Sequence, residues 1–128
     1  MHYVTVTLYH KYPITLVHII TIKINEGKEE WWLTVIYMGV EGRGNYGENR
    51  KLYEILLETE KEVENRKWIV MGDLNGHIGL NNERVNVNGH MILDLVEKTE
   101  LRIKNWELEI PVTWRDRAAE TAIDYSMC

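Results

Sequence analysis

The sequence predicts an α/β domain of mostly antiparallel sheet with helices packed on a face. Segments of period-two alternation cluster at both ends of the chain. Between them, two segments of helical spacing flank one short apolar strand. With 45% hydrophobic and 27% charged residues in 128, the composition is that of a single globular domain and argues against disorder.

The elements follow in order. His2 to Tyr9 alternates β-branched and aromatic residues, which predicts a strand that Pro13 ends. From Ile14 to Asn25, Ile14, Leu16, Ile20, Ile22 and Ile24 share one face, while Thr15, Val17, Ile19 and Thr21 share the other. Two largely apolar faces predict a central strand. His18 falls on the first face and reads as a structural histidine. Residues 26–30 form a charged turn and Trp31 to Met38 a further strand, so residues 14–38 form a hairpin. Gly39, Gly42, Gly44 and Gly47 mark a surface loop; no phosphate-loop lysine motif accompanies them. Leu52, Ile55, Leu56 and Val63 predict an amphipathic helix over Glu48 to Glu64. Lys67 to Gly72 is a short apolar strand, and Asp73 to Asn88 a loop. A second helix starts at Asn88-Gly89 and buries Met91, Ile92, Leu95 and Val96. Leu101 to Trp106, Val112 to Arg115 and Ala122 to Met127 read as three more strands.

Charge and cysteine usage narrow the function classes. A formal net charge of −5 counts against a domain that grips DNA tightly through its own phosphate contacts. The single cysteine, Cys128, leaves no internal disulfide and no paired-cysteine metal site. The N-terminus has no continuous apolar stretch, so neither a signal peptide nor a membrane span is expected. The setting expected is intracellular, nuclear or cytoplasmic, without a membrane partner.

Chemistry concentrates in Trp68-Ile69-Val70-Met71-Gly72-Asp73-Leu74-Asn75. A buried strand delivers Asp73 and Asn75, and in an extended segment residues two apart point the same way. Gly72 permits close approach of another backbone or a ligand. A carboxylate that orients or deprotonates water, beside an amide that donates to developing phosphoryl charge, suits phosphodiester hydrolysis. Asp, Asn and Gly are equally the residues of a plain turn, so this segment alone leaves both readings open. A calcium-binding EF-hand loop is excluded: from Asp73, position six would be Ile78 and position twelve Arg84. Thr113 in Val112-Thr113-Trp114-Arg115 and Asp124 in Ile123-Asp124-Tyr125 are the other candidates, each unremarkable alone.

Together these motifs are specific. Gly72-Asp73-Leu74-Asn75 with Gly76-His77-Ile78-Gly79, the Asn88-Gly89 helix with Leu93-Asp94-Leu95, Thr113-Trp114, then Ile123-Asp124-Tyr125 occur in one order. The stretch from about Ile14 to Tyr125 resembles the endonuclease/exonuclease/phosphatase (EEP) superfamily, most nearly the endonuclease domain of non-LTR (LINE-type) retrotransposons. The resemblance implies a partial four-layer α/β sandwich of the DNase I-like type, with residues 1–128 a single partial domain. It implies catalytic roles for Asp73, which orients or activates water, Asn75, which stabilises the phosphoryl transition state, and Asp124, which holds a catalytic histidine. Tyr37 would contact the scissile phosphate and Thr113 would line the same cleft. The family's Tyr-Ala-Pro is Tyr37-Met38-Gly39 here, which alters the loop positioning that tyrosine.

The sequence also departs from the family, and the expectation is truncation at both ends. The family's asparagine motif and Mg²⁺-binding glutamate have no match in residues 1–12, and Glu26, Glu29 and Glu30 lie in a turn. The Ser-Asp-His segment that supplies the catalytic histidine has no counterpart, and His77 and His90 fit neither its position nor its context. The metal ligands are therefore unknown, although the family implies Mg²⁺ as cofactor and DNA as partner. The expected activity is Mg²⁺-dependent nicking of DNA, impaired because parts that act as a unit are missing. The alternatives are a non-catalytic remnant that self-associates or binds a partner over an exposed sheet edge, with Trp31-Trp32 marking the contact, and a phosphoesterase acting on small phosphoesters.

Overall fold

A computed structural model describes residues 4–9, 18–42, 44–79, 84–104, 114–115, 120–121 and 124–127. Strands β1 (Val4–Tyr9), β2 (Ile19–Glu26) and β3 (Glu29–Tyr37) lead into helix α1 (Tyr46–Val63). Strand β4 (Lys67–Asp73), helix α2 (Val87–Lys98) and the short strands β5 (Trp114–Arg115), β6 (Glu120–Thr121) and β7 (Asp124–Met127) follow.

The five-stranded sheet has the order β1-β2-β3-β4-β7, and β5 pairs only with β6. β2 is therefore central, as its two apolar faces require, and forms the expected hairpin with β3 through the turn at Gly27, where φ is +61°. β3 and β4 are parallel, joined through α1, whereas β1–β2, β2–β3 and β4–β7 are antiparallel.

Alternation along the strands divides the sheet into unlike faces. Trp32, Thr34, Ile36, Trp68, Val70 and Met127 point into the core, where they meet Leu52, Tyr53 and Leu56 of α1 and Met91, Ile92 and Leu95 of α2. Inside this face Trp68, Thr34 and Thr21 pair their polar groups. The Trp68 indole N–H donates to Thr34 Oγ1 at 2.9 Å, and the Thr34 and Thr21 hydroxyls lie 2.9 Å apart. The opposite face carries Ile20, Val35 and Met71 in register across three strands, and they stay 50%, 47% and 42% exposed. Of the expected sandwich, the described residues build the five-stranded sheet with helices on one face and the separate β5–β6 pair.

Three sequence expectations change. Leu101 to Trp106 is not a strand over its described part: Leu101 and Ile103 are buried, and Ile103 makes one isolated bridge to Met127. β7 occupies the place beside β4, which leaves the segment after α2 as a packed connection. His18 is exposed rather than buried, because the sheet face it shares with Ile20 is not the one the helices cover. Trp31-Trp32 is not an exposed aromatic pair. Trp32 is 2% exposed and belongs to the core, while Trp31 is half-buried beneath the Lys67 ammonium, 4.4 Å from its ring centroid. Among the described residues no helix is long and apolar enough to cross a membrane.

Candidate active site

The candidate residues gather at the C-terminal ends of the two parallel strands, the end of an α/β sheet where ligands commonly bind. Tyr37 closes β3 and Asp73 closes β4, and parallel pairing sets them in register. Antiparallel pairing of β4 with β7 then sets Asp124 opposite Asp73. Residues distant in sequence thus stand in one row across three strands. Thr113, the other predicted cleft residue, lies outside the described residues.

Gly72 is needed for this geometry. Its φ of +140° is one that L side chains rarely adopt, and a Cβ there would overlap the Ile36 carbonyl oxygen. That close approach was expected from the sequence, and it is β3 that approaches. The extended geometry expected beyond Asp73 is not what the chain adopts. β4 ends at Asp73, and Asn75 takes a left-handed conformation, φ 45°, which asparagine tolerates better than most residues. The Asn75 N–H donates to Asp73 Oδ1 at 3.0 Å, so the carboxylate also shapes a turn. The Asn75 side-chain amide donates to the Met38 carbonyl at 2.7 Å, and the Met38 N–H donates to the Asp73 carbonyl at 2.8 Å. The turn that the sequence left as one alternative is present, and within it the Asn75 amide is directed to the Met38 carbonyl.

Sequence reasoning missed what holds this loop. Asn49 on α1 and Asn88 on α2 are 2% and 1% exposed. Asn49 Oδ1 accepts from the Gly39 N–H at 2.8 Å, and its Nδ2 donates to the Gly39 carbonyl and to Asn88 Oδ1. Asn88 Nδ2 faces the carbonyls of Gly39, Leu74 and Asn75 at 2.9, 3.1 and 3.4 Å. Asn86, the N-cap of α2, accepts from the Gly89 and His77 N–H groups and donates to the Asn75 carbonyl. The loops after β3 and β4 are thereby clasped to the starts of both helices. A signal was available: Asn49 and Asn88 each stand three residues before a buried apolar position, on the core stripe of its helix.

Whether these residues fit Mg²⁺ follows from the donor set. Among the described residues no three His, Cys, Asp or Glu side chains come together as a group able to hold a metal ion. Mg²⁺ is commonly held by one or two carboxylates with water completing an octahedron, and Asp73 is the described carboxylate residue at the end of the β3–β4 pair.

No family model and no characterised protein sequence matches this chain. Solved structures do. The endonuclease domain of TRAS1, a telomere-specific non-LTR retrotransposon, superposes with a TM-score of 0.75 at 18% identity, over 98% of this chain and 55% of that one. AP endonuclease LMAP from Leishmania major superposes with a TM-score of 0.67 at 14% identity, over 97% of this chain and 52% of that one. The chain spans about half the length of the structures it matches. Its fold is the one found in these two endonuclease structures.

Proposed function

We propose that this chain is the phosphodiester-handling part of a DNA endonuclease, and that it does not complete hydrolysis by itself. The observation that carries the reading is the row of Tyr37, Asp73 and Asp124 in register, with Asn75 tied to Asp73, on a nuclease-type fold. A carboxylate in that row would orient water or accept its proton, while phenol and amide groups would donate to charge developing on a phosphoryl oxygen. The family implies Mg²⁺ for neutralising that charge. Among the described residues no three metal-ligating side chains come together, and no step through the metal is assigned to them.

Two measurements test this. Incubated with supercoiled plasmid and Mg²⁺, the chain should nick no faster than its Asp73→Ala variant; fast nicking abolished by that substitution would show a complete enzyme. Binding of a short DNA duplex should tighten in Asp73→Asn, because a carboxylate beside a phosphate repels it. Equal affinity in the two proteins would refute a phosphate beside Asp73, and no affinity in either would refute DNA as the substrate.

One observation favours a second reading. Ile20, Val35 and Met71 form an apolar row on the uncovered sheet face, which a second copy or a partner protein could bury. A non-catalytic module of this kind would sediment as a complex, and a monomer at high concentration would count against self-association.

A further inference from the structure

The polar row has another member that the sequence reading set aside. β2 and β3 pair Ile19 with Ile36, so the next position outward sets His18 beside Tyr37. The Tyr37 N–H donates to the His18 carbonyl at 2.8 Å, and the two rings stack with centroids 5.6 Å apart and planes 24° apart. Both residues are exposed. Across the sheet the row runs His18, Tyr37, Asp73 and, by register, Asp124. The row beside it, Ile20, Val35 and Met71, offers no hydrogen-bonding side chain.

An anion lying along this row would meet carboxylate residues at one end, and these repel it. Donors must therefore come from the other end, where the imidazole and the phenol stand. An imidazole donates a hydrogen bond whether it is neutral or charged, so it serves a phosphodiester in either state. No core contact accounts for a histidine here, and the stack on Tyr37 keeps the two polar rings adjacent. We propose that His18 is a further substrate-contacting residue, its imidazole N–H donating to a phosphodiester oxygen beside Tyr37. This rests on the phosphodiester reading of the row given above.

Paired substitutions separate donation from stacking. His18→Phe keeps a flat ring on Tyr37 and removes the donor; His18→Gln keeps a donor and removes the ring. With a short fluorescein-labelled DNA duplex in fluorescence anisotropy, His18→Phe should bind about tenfold more weakly, and His18→Gln within about threefold of the unsubstituted chain. Thermal unfolding should leave both variants folded, since the side chain is exposed. His18→Phe binding as well as the unsubstituted chain would overturn the assignment while leaving the phosphodiester reading intact. Dimethyl phosphate, titrated against the His18 ring resonances by NMR, supplies an independent arm. Shifts at His18 without duplex affinity would keep His18 as a phosphate contact and sink the DNA reading. Neither shifts nor affinity would overturn both.

Discussion

Replacing Asn88 by alanine removes the centre of the clasp that holds the site loops. Its amide is 1% exposed, accepts from Asn49 Nδ2 at 3.2 Å and faces three backbone carbonyls. The Gly39 carbonyl would keep its bond from Asn49, and the Asn75 carbonyl its bond from Asn86. The Leu74 carbonyl, in a residue that is 0% exposed, would lose the hydrogen bond from Asn88. An acceptor stranded in the interior costs about 1–3 kcal/mol, and the space left by the amide raises the total to about 2–4 kcal/mol. Against a domain stability of about 5–15 kcal/mol, that should lower the urea midpoint by roughly 1–2 M. Fluorescence of the buried Trp32 and Trp68 reports the transition. Asn88→Asp should be no better, because it turns a carboxylate oxygen toward carbonyl oxygens. Asn49→Ala and Asn88→Ala combined should depart from their sum by about 1 kcal/mol, since the two bond each other and the Gly39 carbonyl, which either can satisfy, is stranded only when both are gone. An Asn88→Ala change within about 0.5 kcal/mol of the unsubstituted chain would refute the clasp, as would strict additivity.

Other predictions test single features of the fold. Asn75→Gly should be less destabilising than Asn75→Ala in the same urea experiment, because both lose the bond to Met38 but only alanine resists a φ of 45°. Gly72→Ala should cost more than about 2 kcal/mol and perturb the Asp73 amide resonance, since the new Cβ meets the Ile36 carbonyl; a silent substitution would mean that β3 and β4 do not approach there. Glu29 is held below its ordinary value of 4.5, first by the hydrogen bond from Lys67 and then by that from the Trp31 indole. A depressed carboxyl contributes stability above its unfolded pKa and loses it as pH falls through the lowered value, so Lys67→Ala should move the Glu29 midpoint upward in a carboxyl ¹³C titration. Val35→Lys on the open face should change stability by less than about 1 kcal/mol, whereas Ile36→Lys, one residue on and 1% exposed, should prevent folding.

Local pattern carried part of this architecture and long-range pairing the rest. The β2–β3 hairpin, both helices and β4 were legible because alternation and helical spacing are written within each segment. That β4 lies parallel to β3, or that β7 rather than residues 101–106 takes the place beside it, depends on partners far apart in sequence. His18 was misjudged for the same reason. Its alternation with Ile20 and Ile22 identified a shared face, but not which face the helices would cover. Trp31 and Trp32 point to opposite faces of β3, and only the packing of α1 and α2 decides which one is buried. Of the site, the motif residues Tyr37, Asp73 and Asp124 were found by resemblance, and register then brings them into one row. Asn49 carries no motif, and the Asn88-Gly89 motif does not reveal that Asn88 holds the loops after β3 and β4.

The two sheet faces therefore do separable work. The helix-covered face supplies the core, and through Asn49, Asn86 and Asn88 it fixes the loops that follow β3 and β4. The end of the sheet bearing Tyr37 and Asp73 is thus ordered in large part from the helix-covered side. The other face contributes the exposed polar row and, beside it, the exposed apolar row. Apolar side chains there gain nothing from solvent, and any partner that covered Ile20, Val35 and Met71 would also border His18, Tyr37 and Asp73. Covering that face would exclude water beside the polar row and strengthen every electrostatic interaction within it.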